Sequence, residues 1–267
     1  MVTLDDNSRE GLQKALGGRC KLLSSSLENL ADFIQIVGGV EDAGRIWYRG
    51  QADIAWELKP KAYRFESEAQ QARALALLQD FRRHAITKIE TPPPQNEEIE
   101  WLGIAQHYGL PTQLLDWTKN PAMALYFACC EYRDTGGAVY LFQPSDLNRR
   151  ASSQLGKPIS GGVYDAEVEE DRHLIRKYVN ASEARGCIAL NPAYNSARIL
   201  QQKGAFTLHA DNTEITKDEA PSLTAISIPA KRKQRLLREL SVIGIDEMSI
   251  FPELEHMCKH LTKQILR

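Results

Sequence analysis

The segment around residues 106–121 constrains the fold of this chain more than any other. Residues 106–118 read Gln-His-Tyr-Gly-Leu-Pro-Thr-Gln-Leu-Leu-Asp-Trp-Thr and carry hydrogen-bonding and titratable groups where a core helix or strand would carry aliphatic ones. Gly109 permits a positive φ and Pro111 lacks a backbone donor, so we predict an irregular backbone here, with a helix on either side. Irregular backbone with such side chains typically serves to aim them at a ligand.

Hydrophobic periodicity predicts helices and strands on both sides of this segment. The predicted helices span residues 27–37, 67–89, 97–107, 121–131, 231–241 and 253–266, and the predicted strands span residues 45–50, 137–142, 186–190, 205–209, 224–228 and 248–251. Because one core stops growing near ~250 to 300 residues, we expect a single domain over residues 26–267, after an N-terminal extension over residues 1–25. Residues 146–185 are expected to form a polar, partly helical insertion in it.

The composition is that of an ordinary soluble globular protein. The 267 residues are 43% hydrophobic and 25% charged, with a net charge of −2, which gives no global reason to bind nucleic acid but leaves a local basic face open. The five cysteines lack C-x-x-C spacing and fit a reducing compartment. The polar first ten residues and the lack of a long apolar run lead us to expect a cytoplasmic protein with no membrane partner.

A first candidate cluster lies at the end of the predicted strand at residues 45–50, in the sequence Tyr48-Arg49-Gly50-Gln51. A glycine there lets a ligand's phosphate approach closely, while the guanidinium donates two hydrogen bonds in a fork. We therefore predict that Tyr48, Arg49 and Gly50 bind a ligand. The alternative is a structural arginine, ion-paired at a sheet edge.

The central segment supplies the second cluster, His107, Asp116 and Thr118, whose side chains can exchange a proton or hold a ribose hydroxyl. In the alternative interpretation, Asp116 caps the turn into the next helix and Trp117 belongs to the core. No second His, Cys or carboxylate stands at a metal-ligand spacing from His107, so we expect no metal site.

The third cluster runs from Arg198 through Gln201 and Gln202 into Gly204 and a predicted strand. Gln202 is predicted to present its amide to a ligand from the strand edge, although an ordinary turn before a strand explains the same residues. The chain has no G-x-S-x-G elbow, no P-loop and no H-E-x-x-H motif. Serine hydrolase, P-loop nucleotidase and zincin functions are therefore not expected.

Together the three clusters resemble the FRG-domain family of bacterial proteins, named for an aromatic-Arg-Gly motif that is Tyr48-Arg49-Gly50 here. The family pattern continues with Trp-x-Leu-x-Pro, matched at residues 56–60, and with the motif at residues 106–128. Gln113 stands where the family usually has arginine. The resemblance covers roughly residues 30 to 265. It implies an association with mobile or defence-like bacterial settings but supplies no reaction.

A more distant similarity, to ADP-ribosyltransferases of the arginine-serine-glutamate type, supplies a mechanism. It implies an α+β fold with a split mixed β-sheet and flanking helices, and with an NAD cleft between the halves of the sheet. Arg49 would hold NAD as co-substrate and Thr118 would orient the nicotinamide ribose. Gln106, Thr112 and Arg198 complete the NAD-binding set that we predict.

The expected catalytic residues are His107, Asp116 and Gln202. Gln201 or Gln202 stands where these transferases have their late glutamate, and an amide hydrogen-bonds ribose but cannot accept the nucleophile's proton. A general base is then expected from His107 or Asp116.

The resemblances thus imply a toxin or defence effector that cleaves NAD and transfers ADP-ribose to a macromolecule, either protein or nucleic acid. An antitoxin or chaperone is the expected type of partner. The alternative is a non-catalytic module whose pocket senses a nucleotide or peptide. A nuclease-like toxin has less support, because no cluster of carboxylates suits a metal-bound phosphodiester.

Overall fold

The computed structural model describes residues 12–14, 16–24, 27–155, 162–180, 184–193 and 197–265. Its strands are β1 (Lys21–Ser24), β2 (Trp47–Gln51), β3 (Leu114–Thr118), β4 (Gly137–Phe142), β5 (Tyr164–Asp165), β6 (Cys187–Asn191), β7 (Gly204–His209) and β8 (Thr224–Ile228). Its helices are α1 (Leu30–Gly38), α2 (Glu68–Ala85), α3 (Glu98–His107), α4 (Pro121–Cys129), α5 (Ser145–Leu155), α6 (Glu169–Asn180), α7 (Ala197–Gln201), α8 (Ala230–Val242), α9 (Glu247–Ile250) and α10 (Leu254–Ile265).

Within these residues the strands form one eight-stranded sheet in the order β1-β8-β4-β2-β3-β7-β6-β5. The outer pairs β1–β8 and β5–β6 are parallel, and the inner pairs are antiparallel. The prediction of an α+β fold with a mixed sheet and flanking helices is therefore confirmed.

The sheet is nearly divided at its centre. Strands β2 and β4 pair along five positions, and so do β3 and β7. By contrast, β2 and β3 pair only at Tyr48 and Thr118 in the described part of the chain. Beyond this pair the two strands diverge, which leaves a gap between residues 49–51 of β2 and residues 115–117 of β3. The gap separates two sets of four strands.

Side-chain alternation places three hydrophobic clusters on the two faces of the sheet. One cluster contains Trp47, Leu115 and Trp117 and covers one face across the central gap. The opposite face carries two clusters. Helices α1, α4 and α8 pack on the β2–β4–β8 half, and helices α3 and α6 pack on the β3–β7–β6 half.

Helix α4 begins where the sequence predicts and packs unusually close to β2. Asn120 caps it by accepting from the Ala122 amide, with Pro121 in the first turn. At Gly50 a Cβ would lie 1.9 Å from the Ala124 carbonyl oxygen. Only glycine therefore fits at this position of β2.

Four predictions need correction. Residues 114–118 form a regular strand, so the irregular backbone is confined to residues 108–113, where Gly109 has φ 86°. Residues 247–250 form a helix instead of a strand, because the Asp246 side chain caps the Ser249 amide.

The N-terminal extension was expected to lie outside the domain, but it contains β1, which pairs with β8. The insertion is not only a polar excursion, because its Tyr164, Ile175 and Tyr178 are buried in the core.

The other predicted elements are present. Strands β4 and β8 have the predicted bounds, and the others have shifted ends. Helix α1 starts at Leu30 because Asn29 caps it, and α2 starts after Ser67, which forms a capping box with Gln70. Residue 266, the predicted last residue of the final helix, and residues 156–161 and 181–183 of the insertion lie outside the described residues. None of the helices in the described ranges is both long and apolar enough to cross a membrane.

We predict that Gly50→Ala destabilises the fold by roughly 3 kcal/mol or more, since the new methyl group must displace the α4 backbone. The measurement is the free energy of unfolding in urea. Gly103→Ala is the matched control, because a Cβ at this helical position meets nothing within 4 Å. The control is expected to leave stability equal or slightly higher. Equal stability of the two variants would contradict the close packing of α4 on β2.

Candidate functional site

A cavity of about 560 Å³ opens at the central gap of the sheet. It is walled by β2 and β3, by the last turn of α3, by α4, and by α7 with the residues around α9. Side chains from both faces of β2 and β3 line it, so it reaches into the gap itself. Nine of the ten predicted site residues line this cavity: Tyr48, Arg49, Gly50, Gln106, His107, Asp116, Thr118, Arg198 and Gln202. Thr112 does not.

Arg49 spans the gap between the sheet halves. Its Nη1 donates to the Asp116 carbonyl oxygen at 2.7 Å, a group that β2 would satisfy if the strands stayed paired. Its Nε is buried and has no hydrogen-bond partner among the described residues. Burial lowers the pKa of Arg49 to about 10, an effect that the nearby Asp116 carboxylate opposes. The guanidinium is therefore charged at neutral pH and keeps a donor for a ligand.

Gly50 serves a different purpose from the one predicted. It borders the cavity, but the space that a Cβ would occupy is filled by the backbone of Ala124 and Ala128. The glycine is required for the close contact with α4, not for the approach of a phosphate.

A chain of hydrogen bonds holds the Asp116 carboxylate in the cavity. Gln106 Nε2 donates to Asp116 Oδ2 at 2.9 Å, and Thr112 Oγ1 donates to Gln106 Oε1. Thr112 also accepts from the Leu114 amide at 3.1 Å and is buried. Thr112 thus positions Gln106 behind the site. The alternative that Asp116 caps a turn is wrong, since the residue lies within β3 with its side chain exposed to the cavity.

Hydrogen bonds hold Thr118 and Gln202 in place at the cavity wall. The Thr118 hydroxyl donates to the Gln202 carbonyl at 2.6 Å and accepts from the Asn120 amide at 3.0 Å. The Gln202 side-chain amide donates to the Ile250 carbonyl at 3.1 Å. These bonds tie α7 to β3 and to α9. They leave Gln202 Oε1 as the part of that side chain available to a ligand.

Tyr48 and Trp117 are both core residues at the edge of the cavity. Tyr48 is buried opposite Thr118, and burial raises the pKa of its phenol. Trp117 is buried and its Nε1 donates to Thr207 Oγ1 at 3.1 Å. The alternative assignment of Trp117 to the core is therefore confirmed.

His107 faces Glu253 across the cavity wall, and Arg198 faces the same carboxylate. His107 Nε2 and Arg198 Nη1 each lie 3.7 Å from Glu253 Oε1. Burial lowers the pKa of His107, the Arg198 charge lowers it further, and Glu253 opposes both effects. The imidazole is therefore neutral at neutral pH and able to accept a proton.

Residues near the C-terminal end, which the sequence interpretation did not single out, complete this wall. The Arg198 guanidinium lies 4.8 Å from the Phe251 ring centroid, and the His256 ring stacks on Phe251 at 4.3 Å. Phe127 of α4 contacts Phe251 edge-on, and Glu247 also lines the cavity. Their only sequence signal was that they lie within the range, roughly residues 30 to 265, over which the chain resembles the FRG family. Their convergence depends on how α7 and α9 pack.

Across the described ranges, no group of three or more His, Cys, Asp or Glu side chains is arranged to hold a metal ion. Residues 44–136 match the family model of the FRG domain. The FRG match includes the Arg49 cluster and the central segment but ends before Arg198. Searches of curated proteins and of solved structures found no match.

We predict opposite shifts of the His107 pKa in two variants. Arg198→Met should raise it, because it removes a nearby positive charge, and Glu253→Gln should lower it, because it removes a negative one. NMR titration of the His107 ring protons measures both. Shifts of the same sign in both variants would contradict the observed arrangement.

Proposed function

We propose that this chain is an ADP-ribosyltransferase-like effector that breaks the nicotinamide–ribose bond of NAD and passes ADP-ribose to a macromolecule, either protein or nucleic acid, or to water. One observation carries the proposal. Three clusters far apart in sequence, at Arg49, at residues 106–118 and at residues 198–202, meet in one cavity that opens in a split of the sheet. The expected setting is a bacterial toxin or anti-phage defence system in the cytoplasm, with an antitoxin or chaperone as regulator.

The charges and the shape of the cavity suit a dinucleotide. Its volume of about 560 Å³ lies in the range of small-molecule and cofactor sites. Arg198 lines the cavity and supplies positive charge for a diphosphate, while Arg49 lines it from β2 and donates to the ligand. Phe127 lines the cavity and offers an aromatic ring against which a base or a nicotinamide ring can pack.

The titratable groups Asp116 and His107 support two different roles in the reaction. As the bond from C1′ of the ribose to the nicotinamide nitrogen breaks, positive charge develops on the ribose, and the fixed Asp116 carboxylate stabilises it. Nicotinamide leaves as a neutral molecule. The acceptor nucleophile adds at C1′ and gives its proton to the neutral His107. Gln202 is limited to hydrogen bonding with a ribose hydroxyl.

A second candidate, a non-catalytic module that senses a nucleotide or peptide, is favoured by the state of the third cluster. Gln202 carries an amide where the transferases have a carboxylate, and its Nε2 is bonded to Ile250. The Thr118 hydroxyl is engaged at both its donor and its acceptor. Such a site binds a nucleotide or peptide without turnover if His107 and Asp116 do not act as catalysts.

The enzymatic proposal predicts nicotinamide release and label transfer when the purified protein is incubated with labelled NAD and cell lysate. His107→Gln and Asp116→Asn should each lower the rate by ~10² to 10⁴, and Arg49→Met should abolish binding of NAD. His84→Gln and Arg83→Met, exposed positions on α2, are the matched controls and should behave as wild type.

Calorimetry with NAD then separates the two candidates. Binding of NAD without its consumption, unchanged by His107→Gln, supports the sensing module and refutes the enzymatic proposal. Neither binding nor consumption of NAD, with Arg49→Met indistinguishable from wild type, refutes both the enzyme and a module that senses NAD.

A further inference from the structure

Two buried side-chain atoms of cavity-lining residues on β2, two positions apart along the strand, lack hydrogen-bond partners in the described part of the chain. Arg49 Nε and Gln51 Oε1 are both buried, and neither has a hydrogen-bond partner within the described part of the chain. Residues two apart on a strand point to the same face, so both atoms are presented from the same side of β2 into the gap. A buried polar group without a partner is destabilising, so such a pair indicates a place where a ligand supplies the missing bonds.

The orientation of the Gln51 amide is set by its surroundings. The side chain is 2% exposed, and its Nε2 donates to the Glu57 carbonyl at 3.3 Å. A backbone carbonyl only accepts, so the nitrogen must face Glu57 and the oxygen is the end left without a partner. The gap therefore presents one fixed donor, from Arg49, beside one fixed acceptor, from Gln51.

This donor and acceptor pair discriminates between ligand groups. A carboxylate or phosphate satisfies Arg49 but turns an oxygen toward Gln51 Oε1. An ammonium satisfies Gln51 but meets the Arg49 charge. A primary carboxamide satisfies both, because its carbonyl oxygen accepts and its N–H donates. Burial of the guanidinium and the adjacent Asp116 carboxylate also favour a neutral group over an anion here.

We propose that the gap between β2 and β3 is a carboxamide-binding subsite, in which Arg49 Nε donates to the carbonyl oxygen of the ligand and Gln51 Oε1 accepts from its amide N–H. Identifying this carboxamide as that of nicotinamide rests on the proposed function. The nicotinamide ribose would then lie beside Asp116, which borders the same gap. Gln51 becomes a specificity-determining residue that the sequence interpretation did not assign.

The test uses small probes on the full chain and needs no turnover. Nicotinamide, methyl nicotinate and nicotinate share the pyridine ring, but the ester lacks the N–H and the acid carries a charge. We expect calorimetry or ligand-observed NMR to give nicotinamide an affinity at least about tenfold above that of each analogue, the cost of facing a buried acceptor without a donor.

Variants of the two residues check that the preference arises in the gap. Gln51→Met keeps the side-chain length, removes the acceptor and should bring nicotinamide and methyl nicotinate to equal affinity. Arg49→Met should weaken both. Gln79→Met, on the exposed side of α2, is the matched control and should keep the full preference. Circular dichroism checks that each variant is folded, and the comparison of probes on the wild-type protein stands even if Gln51→Met is not.

Three results would overturn the inference: equal affinity for nicotinamide and methyl nicotinate in the wild type, tighter binding of nicotinate, or no binding of nicotinamide at millimolar concentration. The outcome is separable from that of the proposed function. A tenfold preference without NAD consumption refutes the enzymatic proposal and supports the carboxamide-binding subsite. NAD consumption without the preference supports the enzymatic proposal and refutes the subsite.

Discussion

A single residue pair, Tyr48 with Thr118, joins the two halves of the sheet within the described residues, and the candidate site depends on it. If β2 and β3 stayed paired beyond this point, their backbone groups would satisfy one another and no gap would exist. Because they diverge, the Asp116 carbonyl needs another donor, which Arg49 provides. The same divergence admits a cavity between the helices that cover the two halves. The divergence of β2 from β3 therefore both splits the sheet and forms the candidate site.

Two rigid supports keep this gap defined. On one side, α4 lies against β2 at a distance that only Gly50 allows, so β2 cannot move toward β3 without carrying the helix with it. On the other side, Thr112 holds Gln106 and Gln106 holds the Asp116 carboxylate, so the charged group of β3 is fixed from behind. Polar groups preorganised in this way favour binding or catalysis, because little reorganisation remains when a ligand arrives.

Much of the fold followed from local sequence, and the errors have local causes. The helix at residues 121–129 was predictable because Asn120 and Pro121 are strong start signals. The strand at residues 114–118 was missed although Leu115, Asp116, Trp117 and Thr118 alternate between apolar and polar, because the polar positions were taken as a sign of irregular backbone. The helix at residues 247–250 was taken for a strand because four residues are too few for periodicity to reveal, although Asp246 signalled its cap.

By itself the sequence determined which residue types belong to the site, because His107, Asp116, Arg49 and Gln202 stand in segments where a core would be apolar. It also determined the start of the helix that Asn120 caps. Only the tertiary structure decided that Thr112 supports rather than lines the cavity, that Glu253 faces His107, and that Gln51 presents an unpaired oxygen. The physical reason is that a hydrogen-bond partner is set by how strands and helices pack, and packing joins residues that sequence spacing leaves far apart.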